Sequence, residues 1–331
     1  MLRHVRIFIL IITGLLPFSF ACIPVLPPNT EAEPAFARSA VLQDLRLTYH
    51  TEAGLLDGHW VDLVRSDGSG TIGGYLSTAS HTRDALVILL HGASTGHQEG
   101  AVGSAREFHE QAGKVMRSMG FRTFAPAVQE CGTAYGEGDL TDIVEIIDWL
   151  DAGGRETLRV NRVYILGYSV GATLATLTNR ERMVTGVVSL AGLASPEFLE
   201  AQWPLLNLIG NLYPLNEGMC QLRTTLRTYG QPGNPAWDVL DSVAAMDELQ
   251  SPMLLVHGLR DGILPVDSVL ALEQRYLERV AEGAILPQLD FMFIPNGDHG
   301  TVMTSDAVVE RIVDFFNRFE PAPIAWAPDA D

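Results

Sequence analysis

The chain has 331 residues, of which 47% are hydrophobic and 19% charged, with a formal net charge of −18. This composition excludes a disordered chain and supplies enough apolar surface for a large core. The acidic balance excludes nucleic acid as a partner, because phosphate backbones would be repelled.

The N-terminus reads as a processing segment. Arg3 and Arg6 precede the uncharged apolar run Ile7–Phe20, and Ser19-Phe20-Ala21 has the small-x-small pattern of a cleavage site. The run is short for a membrane-spanning helix and contains Pro17, so residues 1–21 are expected to be a secretory signal peptide and not an anchor. Cleavage after Ala21 would expose Cys22. This arrangement resembles a bacterial lipoprotein signal, which implies lipidation of Cys22, export and a lipid tether to a membrane. Residues 22–38, which include Ile23–Phe36, are Pro-rich and aperiodic and predict a tether. Residues 321–331 read as a tail, leaving 39–320 as a single catalytic-sized domain.

Within that domain Leu45–His50, Trp60–Val64 and Thr71–Ser77 predict antiparallel strands. Apolar strands then alternate with amphipathic helices. Ala85–Leu90 predicts a strand, and Phe108, Ala112, Val115, Met116 and Met119 fall at helical spacing. Phe121–Ala125 predicts a strand, followed by a helix carrying Leu140, Ile143, Val144, Ile147 and Leu150. Arg162–Leu166, Thr185–Leu190, Met253–His257 and Leu289–Ile294 predict further strands. Val170–Thr178 predicts a helix, and two more carry Val269, Leu272, Tyr276 and Val280, and Val309, Ile312, Val313 and Phe316. Such alternation predicts an α/β fold with a mostly parallel sheet covered on both faces. One segment, about 194–249, is far longer than a normal connection. Its apolar content predicts a helical insertion, either a cap over the sheet edge or additional core. In the cap reading Trp203, Leu206, Ile209 and Tyr213 would line a substrate pocket.

Two glycine motifs stand out. Gly68-Ser-Gly70-Thr-Ile-Gly73 formally matches a dinucleotide fingerprint, but a strand follows it, so a hairpin turn is expected. Gly167-Tyr168-Ser169-Val170-Gly171 follows a predicted strand and opens a predicted helix. The flanking glycines permit a sharp turn that lifts the serine hydroxyl above the sheet, at a helix N-terminus that favours negative charge.

With these residues in place the chain resembles the α/β-hydrolase superfamily, closest to dienelactone-hydrolase-like esterases and the catalytic domain of the prolyl oligopeptidase family. The resemblance implies a nucleophile, an acid and a histidine in that chain order. It implies Ser169 as nucleophile, Asp261 in the loop after Met253–His257 as acid, and His299 after the last strand as base. Asp298 and Asp267 are rival acids, though Asp298 neighbours His299 and is poorly placed to reach its Nδ1. The resemblance implies an oxyanion hole from the backbone N–H groups of Val170 and Ala93. Gln129–Gly138 is similar to the Gly-rich loop of the peptidase family, whereas Gly92-Ala93 departs from that family's Gly-Gly.

No Cys/His cluster has metal-ligand spacing, so no metal or cofactor is expected. The three cysteines are Cys22, Cys131 and Cys220. With Cys22 lipidated, the remaining pair predicts a Cys131–Cys220 disulfide in an oxidising compartment, two free thiols being the alternative. The expectation is an exported serine esterase acting on small neutral esters. A peptidase, an acyltransferase or a non-catalytic binding protein on the same fold are the alternatives.

Overall fold

The computed structural model describes residues 45–50, 58–65, 69–78, 81–93, 100–128, 132–211 and 220–319. The predicted signal peptide, tether and tail, with Cys22, Cys131 and Tyr213, lie outside the described residues. Among the described residues nine strands form one sheet: β1 Leu45–His50, β2 Gly58–Arg65, β3 Thr71–Ser77, β4 Ala85–Leu90, β5 Arg122–Pro126, β6 Arg162–Tyr168, β7 Gly186–Leu190, β8 Met253–Gly258 and β9 Leu289–Ile294. Their order is β1-β2-β3-β5-β4-β6-β7-β8-β9. The first four in space pair antiparallel, and every pair from β5 to β9 is parallel. Of the expected hairpin turn Gly68–Gly73, Gly68 lies outside the described residues; beside it the Arg65 N–H donates to the Gly70 carbonyl (3.0 Å), and β3 follows directly.

The longer α-helices among the described residues are α1 Gly100–Glu110, α2 Ala112–Ser118, α3 Glu137–Trp149, α4 Val170–Glu181, α5 Trp203–Gly210, α6 Cys220–Tyr229, α7 Val266–Ala281 and α8 Asp306–Arg318. The single helix expected across Phe108–Met119 is two, because Gln111 (φ −89°, ψ −83°) leaves helical geometry between α1 and α2.

Successive side chains on a strand face opposite ways, and β4 exploits this directly. Leu86, Ile88 and Leu90 enter one core with Ile143 and Ile147 of α3, Leu174 of α4 and Leu272 of α7. Ala85, Val87 and Leu89 enter the other with Phe108, Met116, Ile312, Phe315 and Phe316. Both faces of the parallel strands are therefore apolar, which is why they read as continuous hydrophobic runs. In the second core Tyr164 and Phe316 lie 4.3 Å apart, and the Tyr164 hydroxyl donates to the Phe316 carbonyl.

The insertion leaves β7 and returns at β8. It serves both readings offered by its sequence. Leu199, Leu226, Tyr229, Trp237 and Leu240 belong to the first core, while other residues of the same segment wall a cavity above the sheet.

Candidate active site

The sharp turn between β6 and α4 sets the site. Ser169 sits there with φ 56° and ψ −121°, a backbone conformation that L side chains rarely adopt. The turn is so tight that a Cβ on Gly167 would lie 2.1 Å from the Gly171 carbonyl oxygen. A Cβ on Gly171 would lie 2.2 Å from the Leu90 carbonyl oxygen and 2.5 Å from that of His91. Both glycines are thus required by backbone contact. The Ser169 N–H donates to the Leu190 carbonyl (2.9 Å), tying the strained residue to β7.

Asp261 lies in the turn between β8 and α7. One carboxylate oxygen accepts from the Ile263 and Leu264 N–H groups (2.8 and 2.9 Å). The other accepts from His299 Nδ1 at 2.7 Å. His299 follows β9, and its Nε2 lies 3.0 Å from Ser169 Oγ. Three residues distant in sequence therefore form one hydrogen-bonded chain. Asp261 is fully buried and His299 is 12% exposed. Burial pushes the Asp261 carboxyl upward, but the His299 hydrogen bond and charge and the two backbone N–H groups outweigh it, leaving a value below the ordinary one. The carboxylate therefore contributes stability at neutral pH that is lost only as pH falls through that lowered value.

The loops that carry Asp261 and His299 are held together by backbone. Arg260 N–H donates to the Gly297 carbonyl (2.8 Å) and Leu259 N–H to that of Ile294 (3.0 Å). A Cβ on Gly258 would meet the Gly297 oxygen at 2.5 Å. Beneath them His257 donates from Nε2 to the Leu264 carbonyl (2.9 Å). Burial lowers the pKa of His257 and keeps it neutral. Of the rival acids, Asp298 accepts from the Thr301 N–H (2.9 Å) and hydroxyl (2.7 Å), which engages it in its own turn. Asp267 stands exposed on α7.

Val170 is the first residue of α4. Its N–H therefore has no carbonyl partner within the helix. Val170 and Ala93 line the same cavity as Ser169 and His299. That cavity holds about 380 Å³, and its remaining wall is dominated by Leu193, Leu199, Leu206, Leu222, Trp237 and Leu240. Of the pocket residues expected from sequence, Leu206 lines it. Trp203 does not; it packs against the first hydrophobic core. The Ile209 side chain and Tyr213 lie outside what is described. Leu222, Trp237 and Leu240 also line the cavity, from the second half of the insertion, where short helical segments carry no apolar period that points to it.

Among known proteins, the profile described as "Alpha/beta hydrolase family" matches residues 87–312. Esterase EstD of Thermotoga maritima is 27% identical over 193 residues, covering 53% of this chain and 46% of that protein. The chain thus spans just under half of that relative's length. An esterase of Pyrococcus furiosus superposes with a TM-score of 0.58 at 15% identity, covering 80% of this chain and 92% of that one. An acylaminoacyl peptidase of Pyrococcus horikoshii superposes with a TM-score of 0.55 at 13% identity, covering 87% of this chain and 43% of that one.

The backbone strain at Ser169 has a measurable consequence. Both Ser169→Gly and Ser169→Ala remove the hydroxyl, but only glycine relaxes a positive φ. Chemical denaturation should find Ser169→Gly more stable than Ser169→Ala by about 1 kcal/mol. Equal stabilities would mean that the turn is not strained.

Proposed function

The chain belongs to the alpha/beta hydrolase family, and on that premise we propose that it is a serine esterase acting on neutral carboxylic esters. The observation that carries this reading is the Asp261–His299–Ser169 chain of hydrogen bonds, 2.7 and 3.0 Å long, opening on an apolar cavity.

In this mechanism Ser169 Oγ attacks the ester carbonyl while His299 Nε2 takes the hydroxyl proton. The Val170 and Ala93 N–H groups receive the developing oxyanion. The tetrahedral adduct collapses, the bond to the alkoxy oxygen breaks, and His299 returns the proton to the leaving alcohol. Water then repeats the sequence on the acyl-enzyme, releasing the acid and restoring Ser169. Asp261 fixes the histidine tautomer and stabilises the imidazolium. Burial of Asp261 and its four-fold engagement with His299, Ile263, Leu264 and the nearby His257 support that role.

Ser169→Ala and His299→Ala should each lower turnover by about 10⁵ to 10⁶, with the double variant hardly worse, because the residues act as one unit. Asp261→Asn should cost about 10⁴ through the wrong tautomer. Near-normal hydrolysis by folded Ser169→Ala would reject the nucleophile.

The cavity wall supports acyl chains of short to medium length, and the charge of −18 disfavours anionic substrates. Each methylene buried contributes about 0.8 kcal/mol, roughly fourfold in kcat/KM, until the cavity is full. Comparing acetyl to decanoyl esters, Leu206→Ala should move the optimum toward longer chains and leave the acetyl ester nearly unchanged. Trp203→Ala should lower stability without moving it. An optimum unmoved by Leu206→Ala would mean that the insertion does not select the acyl chain.

Export, lipidation of Cys22 and a Cys131–Cys220 bridge complete the proposal. The signal-like N-terminus supports the first two. Cys220 is buried at the start of α6, and the even pair of cysteines that remains in an oxidising compartment supports the third. In the chain-entropy picture the bridge is worth about 4 kcal/mol. A non-reduced digest of protein from the membrane fraction should yield acylated Cys22 and a Cys131–Cys220 linked peptide. An unmodified Cys22 would reject lipidation, and two alkylatable thiols would reject the bridge.

A further inference from the structure

Tyr168, the residue before the nucleophile, has no task in the mechanism above, yet it touches both loops that the mechanism uses. Its ring centroid lies 5.1 Å from that of His299, with the planes inclined at 38°. Its hydroxyl donates to the His299 backbone carbonyl at 3.3 Å. On the side of the oxyanion loop, a Cβ on Gly92 would lie 3.1 Å from Tyr168 Cδ1 and 3.1 Å from Ser169 Cβ. The ring therefore lies beside Gly92, where an added Cβ would crowd it, and beside the imidazole of the base.

The charge around this ring is also defined. Burial, then the carboxylates of Asp261 and Asp298, push the Tyr168 phenol up to about 12. The side chain stays neutral at working pH and offers the imidazole an aromatic surface, not an anion. The groups facing His299 are Asp261 at Nδ1, Ser169 at Nε2 and Tyr168 against the ring, with neutral His257 behind Asp261. Asp298 is adjacent in sequence but held by Thr301. When His299 takes the serine proton, its new positive charge lies within the roughly 6 Å over which an aromatic ring attracts a cation.

We propose that Tyr168 is a positioning residue that holds His299 against Ser169 and favours the imidazolium through its ring. The inference rests on the serine-hydrolase reading of the same site. It predicts that the ring matters more than the hydroxyl, and that its loss slows chemistry without weakening substrate binding.

The test compares Tyr168→Phe and Tyr168→Leu with the native enzyme in two assays. One is the rate at which a fluorophosphonate labels Ser169, which needs the base but no particular acyl group. The other is the split between kcat and KM on an acetyl ester, whose short chain leaves most of the cavity empty. Tyr168→Phe should stay within about threefold of native in both, since the ring is retained. Tyr168→Leu should lose about tenfold in labelling rate and in kcat, with KM within about twofold, the scale set by a desolvated cation–ring contact of about 1.4 kcal/mol.

Native-rate labelling by Tyr168→Leu, a loss confined to KM, or equal damage in both variants would overturn the proposal. Where Tyr168→Leu does not fold, Tyr168→Met replaces it, with the same expectation. Failure of both to fold would make the ring a structural element and also overturn the proposal. Native enzyme that labels but hydrolyses no ester would refute the ester reading while leaving Tyr168 measurable. Absence of labelling in the native enzyme would refute the nucleophile itself, and this inference with it.

Discussion

Everything in the site depends on one close approach of backbone to backbone. Where α4 leaves β6, Gly171 presses against the carbonyls of Leu90 and His91, at distances that leave no room for a Cβ. That contact draws the end of β4, with Ala93, to the start of α4, with Val170. It also forces Ser169 into a positive φ that presents its hydroxyl to the cavity rather than to the core. Parallel strands with both faces buried make the contact possible. The two cores clamp β4 and β6 from opposite sides, so the sheet can hold a strained turn at its edge.

The electrostatics follow from the same rigidity. A buried carboxylate is costly unless its oxygens are satisfied. Asp261 is satisfied by two backbone donors of its own turn and by His299. The turn is itself fixed by neutral His257 through the Leu264 carbonyl. A protonated His257 would place a second charge in a fully buried position, and burial works against that. The histidine that carries the proton in the proposed mechanism and the histidine buried as a neutral support are thus separated by exposure. His299 reaches the cavity, whereas His257 lies under the acid loop with no exposed surface.

The sequence carried most of this fold because its strongest signals are local. All nine strands are where their apolar runs predict, with ends displaced by a residue or two. The Gly167–Gly171 motif, the Asp261 loop and His299 are each short segments singled out through the family resemblance, and the fold brings them into one hydrogen-bonded chain. Two features were not legible. The break at Gln111 interrupts a helical period that continues unbroken from Phe108 to Met119, so pattern alone joins α1 to α2. Trp203 reads as a pocket residue for a related reason. Helix α5 is apolar nearly all round, so periodicity does not say which side meets the core. Trp203 turns to the core and Leu206 to the cavity, while Leu205 and Leu208 remain over 40% exposed.

The insertion therefore does two jobs with one set of residues, and this constrains how the site can change. Leu199, Trp237 and Leu240 are core members and cavity walls at once. Enlarging the cavity at those positions removes packing from the core that supports α4, and a large-to-small change there costs about 2–5 kcal/mol. Leu206 and Leu222 are only partly buried against that core while lining the same space. Cavity volume is cheapest to alter at these two residues, which lie outside the fully buried core that holds the turn at Ser169. Cavity shape and stability are therefore more separable at Leu206 and Leu222 than at Leu199, Trp237 or Leu240.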